Sequence, residues 1–183
     1  TGIVTLAEIG DKTQLLAFIL AARFRKPLPI IAGILVATVL NHALAAAVGN
    51  HVAQYFSETT LLWILAASFL AVAAWTLIPD TMDDEGSLLS KYGPFIASLV
   101  AFFVAEMGDK TQIATVMLAA QYPSFLAVVV GTTLGMLLAN VPVVLISNFA
   151  ANRLPLPLIR SLAALCFLIM AIYAAARALG WLG

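Results

Sequence analysis

The chain has 183 residues, is 63% hydrophobic and only 10% charged, with a mean hydropathy of +1.05. A soluble domain carries roughly 25% charged residues, so this composition is that of a polytopic membrane protein. Nine basic residues balance nine acidic ones, which excludes the basic footprint of a nucleic-acid partner. The lone Cys166 excludes a disulfide framework and a CxxC metal or redox motif.

Six apolar segments are expected to span the bilayer, at 2–22, 28–50, 61–79, 93–120, 124–148 and 158–179. Each is near the ~20 residues that cross ~30 Å of hydrocarbon. The breaks run from Arg23 to Pro27, His51 to Thr60, Asp80 to Lys91, Gln121 to Ser124 and Asn152 to Pro157, with the Pro and polar residues that punctuate helices. The longest break holds Asp80, Asp83, Asp84 and Glu85. It reads as a solvated acidic linker, 80–92, between a first half, 1–79, and a second, 93–183. No cleavable signal peptide is expected.

The first and fourth segments share an octapeptide, Ala-Glu-x-Gly-Asp-Lys-Thr-Gln, at Ala7–Gln14 and again 98 residues on at Ala105–Gln112. Without a gap, 7–22 matches 105–120 at ten of sixteen positions, and Gly33, Asn50 and Ala53 fall on Gly131, Asn148 and Ala151. The repeated unit is therefore three helices. An odd number of spans makes the second unit enter from the opposite face, so the expected fold is all-α, six transmembrane helices in two inverted three-helix repeats. Arg23, Arg25, Lys26, Lys91, Arg153 and Arg160 gather on one side, against Arg177 on the other. The positive-inside rule then puts both termini outside the cytoplasm and the acidic linker within it.

Ionisable groups inside hydrocarbon usually mark an ion or substrate pathway. On a continuous helix Glu8 and Asp11 would share a face, as would Glu106 and Asp109. Each glutamate lies 15 residues, roughly 22 Å, from one helix end, but from opposite membrane faces. Four carboxylates can thus converge. Thr13, Gln14, Thr111 and Gln112 add neutral oxygens, and an all-oxygen set suits Mn²⁺, Ca²⁺ or Mg²⁺. Gly10 and Gly108 imply close helix approach or a local break. Lys12 and Lys110 balance two of the four negative charges, pairing either with Glu8 and Glu106 at i,i+4 or with the other repeat. The remaining charge of minus two matches one divalent cation. Low dielectric disfavours the charged carboxylate, so protons are its natural replacement. Asn41, His42 and Asn140 are candidate cavity-lining residues, with interhelical hydrogen bonding as their competing role.

The doubled Glu-x-Gly-Asp-Lys-Thr resembles the signature of uncharacterised protein family 16, which includes the Golgi transmembrane protein 165 type and bacterial manganese exporters. Both copies fit at every fixed position. The resemblance implies a relative of the cation/Ca²⁺ exchanger superfamily that exports Mn²⁺, or Ca²⁺, in exchange for protons. It also implies Glu8, Asp11, Glu106 and Asp109 as cation ligands, with Thr13, Gln14, Thr111 and Gln112 beside them. The expected partners are the transported metal ion and membrane lipid, with no resident cofactor. A short N-terminal stretch fits a bacterial inner-membrane protein. Two rival readings are a divalent-cation channel without proton coupling and an intramembrane aspartyl protease. The protease would need two aspartates sharing a proton, whereas each Asp here is followed by Lys.

Overall fold

The first and fourth predicted spans are each cut in two. The computed structural model describes residues 1–77, 92–146 and 156–181. The order is α1 (Gly2–Glu8), α2 (Lys12–Phe24), α3 (Pro27–Ala53), α4 (Glu58–Thr76), α5 (Pro94–Glu106), α6 (Lys110–Gln121), α7 (Phe125–Ile146) and α8 (Leu156–Ala178). No strand occurs among the described residues, so the all-α expectation holds. Residues 80–91 of the acidic linker, together with Arg153, lie outside the described residues.

Local chemistry sets these boundaries. Arg25, in the left-handed region at φ 53°, ends α2, and Pro27 opens α3 at a position where its missing N–H costs nothing. Ser57 caps α4 by accepting the Thr60 N–H at 3.2 Å. The segments 27–53, 58–75 and 125–146 are long and apolar enough to cross a membrane. Leu44, Val130, Leu138, Ile169 and Ile172 stand on the outer surface, where a soluble protein would not collect them.

The two halves interlock. Helix α3 packs mainly on α5, α6 and α7, while α7 packs on α1, α2 and α3. Helices α4 and α8 lie against each other, with Phe69 and Phe167 stacked at 6.3 Å. A second core joins Leu20 of α2, Ile30 and Ile34 of α3, and Phe102 of α5. Contacts within a half are few by comparison. Neither half has a core of its own, so the repeat is a unit of sequence rather than of packing. Gly33 makes the α3–α5 crossing close: a Cβ there would lie 2.6 Å from the Phe95 carbonyl.

Candidate cation site

In both motifs the helix stops at the glutamate and restarts just after the aspartate. Ile9 and Met107 are extended, and Gly10 and Gly108 take φ 83° and 75°. A side chain in that left-handed region costs about 1–2 kcal/mol, which accounts for glycine at both positions. At Gly108 a Cβ would meet nothing within 4 Å, so the break rather than close helix approach requires it.

Asp11 and Asp109 cap the restarted helices. Asp11 Oδ1 accepts the Lys12 N–H at 2.7 Å, and Asp109 Oδ2 accepts the Thr111 N–H at 3.4 Å. Three residues on, the glutamines reach back: the Gly10 N–H donates to Gln14 Oε1 at 2.8 Å, and the Gly108 N–H to Gln112 Oε1 at 2.6 Å. Asp-x-x-Gln thus resembles a capping box, but the aspartate takes an N–H one or two residues on and the glutamine the N–H one residue ahead of the cap. Of the two roles the sequence allowed for Gly10 and Gly108, close helix approach or a local break, the structure shows the break. The shared helical face of Glu8 and Asp11, and of Glu106 and Asp109, is corrected accordingly. The chain break places these carboxylates, and each pair spans the end of one helix and the start of the next.

The breaks of the two halves meet. Carboxylate oxygens of Glu8, Glu106 and Asp109 all lie within 4.8 Å of one another, and the three residues are buried. Thr13 Oγ1 donates to Glu8 Oε2 at 2.7 Å, and Thr111 Oγ1 to Glu106 Oε2 at 3.1 Å. The other oxygen of each glutamate, Oε1, is buried without a hydrogen-bond partner. Unpaired buried oxygens are costly in isolation and mark a place for a proton or an ion.

The lysines pair across the repeats and with the aspartates. Lys110 Nζ lies 3.1 Å from Asp11 Oδ2, and Lys12 Nζ lies 3.8 Å from Asp109 Oδ1. Of the two alternatives the sequence allowed, this is pairing with the other repeat. Two of the four negative charges are therefore held by lysines, while Glu8 and Glu106 accept hydrogen bonds from threonine hydroxyls.

Both glutamines hold the helix breaks through their Oε1 atoms. Gln14 Nε2 donates to the Ala139 carbonyl at 2.8 Å, tying α2 to α7. Asn41 Nδ2 donates at 3.0 Å to the Phe103 carbonyl in the last turn of α5, a group that the end of the helix frees. Asn140 Nδ2 donates to Met136 O of its own helix at 3.1 Å. The Oδ1 atoms of both asparagines and both ring nitrogens of His42 are buried without hydrogen-bond partners. His42 is not part of the three-carboxylate cluster. The sequence reading did not single out Thr115, which is buried on α6 and donates to the Thr111 carbonyl at 2.8 Å. Its spacing of four from Thr111 was the available clue.

The family model described as divalent cation/proton antiporter GDT1 matches residues 1–84 and 94–181. A Vibrio cholerae protein named "Putative manganese exporter" is 61% identical over 170 residues, covering 92% of this chain and 84% of that protein. A GDT1-like protein of Synechocystis is 27% identical over 93% of this chain and 91% of its own length. GDT1-like protein 3 of Arabidopsis thaliana is 25% identical over 90% of this chain and 65% of its own length. No solved structure matches the chain.

Proposed function

We propose, from the premise that the chain belongs to the divalent cation/proton antiporter GDT1 family, that it exports Mn²⁺, or secondarily Ca²⁺, in exchange for protons at the Glu8–Glu106–Asp109 cluster. The family is one of membrane transporters and not of enzymes, so the protease reading falls away. The observation that carries the proposal is the crosswise pairing of Lys12 and Lys110 with the aspartates. It leaves Glu8 and Glu106 as two adjacent carboxylates outside those two ion pairs. One divalent ion or two protons would neutralise them equally, which is the requirement for exchange.

The donor chemistry supports a hard cation. The cluster is all oxygen, and a spacing within 4.8 Å is close to that of two oxygens on opposite sides of one ion at ~2.3–2.6 Å each. The helix breaks support a transporter, since discontinuous helices commonly form ion sites at repeat interfaces. In the proposed arrangement α1 and α2 together make one crossing and α5 and α6 another. With α3, α4, α7 and α8 they give six crossings in two inverted repeats, both termini outside the cytoplasm of a bacterial inner membrane. Because the halves interlock, the moving body in alternating access would be a helix group drawn from both repeats, not one three-helix half.

Reconstituted liposomes test this directly, following Mn²⁺, Ca²⁺ and Mg²⁺ uptake beside internal pH. Exchange predicts Mn²⁺ flux that accelerates as protons are supplied on the side towards which the metal moves. Metal flux that runs equally at every proton gradient would instead establish the channel reading.

A further inference from the structure

The four motif carboxylates differ in their surroundings. Carboxylate oxygens of Glu8, Glu106 and Asp109 lie within 4.8 Å of one another, and Asp11 is not a member of that group. Asp11 instead faces Lys110 at 3.1 Å, with both side chains at most 3% exposed. Asp109 is anchored through Oδ2, which takes the Thr111 N–H and the Thr111 hydroxyl, each at 3.4 Å. Its other oxygen, Oδ1, is buried and accepts no hydrogen bond. That oxygen faces Lys12 Nζ at 3.8 Å, and the Lys12 side chain is 28% exposed. One carboxylate thus belongs both to the cation cluster and to an ion pair, and that pair is the longer and more open of the two.

Helix packing differs in the same sense. Among the described residues α4 packs along α6, which Lys110 opens, whereas α8 packs on α1 more than on α2, which Lys12 opens. A close, buried pair is costly to break, and a long, partly exposed one is not. Electrostatics then decides which partner Asp109 keeps. A divalent ion at ~2.3–2.6 Å attracts a carboxylate roughly three times as strongly as a single charge at 3.8 Å in the same medium. Lys12 has no need to leave the neighbourhood. Three carboxylates, one divalent ion and one ammonium sum to zero charge.

We infer that Lys12 is a tethered counter-cation, paired with Asp109 while the site is empty and displaced from it by the transported metal ion, with Lys110–Asp11 as the pair that persists. The inference rests on the proposed carboxylate site, of which Asp109 is the third member. Both pairs join the start of α2 to the start of α6. Loading the site therefore releases one of two ties between the repeats and leaves the other in place.

Mn²⁺ binding to the purified full chain in detergent, measured by calorimetry, tests the displacement. Lys12→Met should tighten Mn²⁺ about fivefold, since the ion no longer competes with an ammonium. Lys12→Arg keeps the charge and should not tighten it. In an Asp109→Asn background the Lys12→Met change should shift binding by less than about twofold. No tightening in Lys12→Met would overturn the displacement. So would an undiminished gain without the Asp109 carboxylate, which would make Lys12 only a distant positive charge on the glutamates. The Lys12 amine gives a second readout in the unaltered chain. Its acetylation by an N-hydroxysuccinimide ester, followed by mass spectrometry, should rise at least about threefold in saturating Mn²⁺, with Lys110 protected throughout. Equal acetylation with and without Mn²⁺ would also overturn the inference. Glu106→Gln separates the two claims. Loss of Mn²⁺ binding there, beside any of those negative results, leaves the carboxylate site standing without the displacement. Normal Mn²⁺ binding by Glu106→Gln would remove the site itself, and the displacement with it.

Discussion

The first and second motifs differ in only one of eight residues, Ile9 against Met107, yet their surroundings are not alike. The side chain of Lys110 is 3% exposed and sits 3.1 Å from Asp11, whereas that of Lys12 is 28% exposed and sits 3.8 Å from Asp109. Gln14 is buried and reaches the Ala139 carbonyl of α7. Its counterpart Gln112 is half-buried. The residue equivalent to Ala139 in the other half is Asn41, whose amide instead caps the end of α5. Identical local sequences thus build identical helix breaks, and the neighbouring helices decide how deeply each break is enclosed. The motif at the centre is symmetric, while its enclosure is not.

Charge removal at the centre should show that symmetry and produce the largest effect. Glu8→Gln and Glu106→Gln each leave a site of minus one facing a divalent ion. At an effective dielectric of about 20, two unit charges ~4 Å apart interact by about 4 kcal/mol, so each variant should lose more than ~100-fold in Mn²⁺-for-proton exchange. The two losses should agree within a few-fold in the liposome assay. Retention of a tenth of normal exchange by one of them would remove that glutamate from the site and break the equivalence.

The lysines should expose the asymmetry. Lys110→Met strands Asp11 in a buried setting, and breaking such a pair costs about 3–5 kcal/mol. Lys12→Met breaks a longer, partly exposed pair, for which about 0–1 kcal/mol is typical. Thermal unfolding in detergent should therefore fall clearly for Lys110→Met and little for Lys12→Met. Asp11→Asn added to Lys110→Met should recover much of the loss. Equal destabilisation by the two single changes would mean that the difference in enclosure has no energetic weight.

Smaller effects should come from the groups that hold the carboxylates. Thr13→Ala removes a 2.7 Å hydrogen bond to Glu8, and bonds to charged groups are worth about 1.5–3 kcal/mol. Apparent Mn²⁺ affinity should weaken about tenfold in titrations of exchange rate, with transport retained. At Gly108 the cost of Ala is conformational alone, about 1–2 kcal/mol, because a Cβ has open space around it. Gly108→Asn should be milder than Gly108→Ala, since Asn tolerates the left-handed region, and the ordering of their unfolding temperatures checks it.

Much of this architecture was legible in the chain. Six apolar segments, a repeat 98 residues apart and four carboxylates within two of those segments follow from composition and spacing, and the outer bounds of the segments agree with the helices to within a few residues. The breaks at Gly10 and Gly108 were legible as one of two alternatives, close helix approach being the other, because a glycine inside an apolar run serves either. The interlocking of α3 with α5 and α6, and of α7 with α1 and α2, was not, because nothing in a local pattern records which distant helix an apolar face will meet.

By itself, then, the sequence determined the membrane class, the doubled motif and the sum of charge at its centre, since these depend on residue type and on neighbours a few positions away. Only the tertiary structure decided that Lys12 and Lys110 cross to the opposite aspartates, with Glu8 and Glu106 outside those two ion pairs. Ion pairing depends on distances between helices far apart in the chain, and two nearly identical octapeptides acquire different surroundings only when those helices pack.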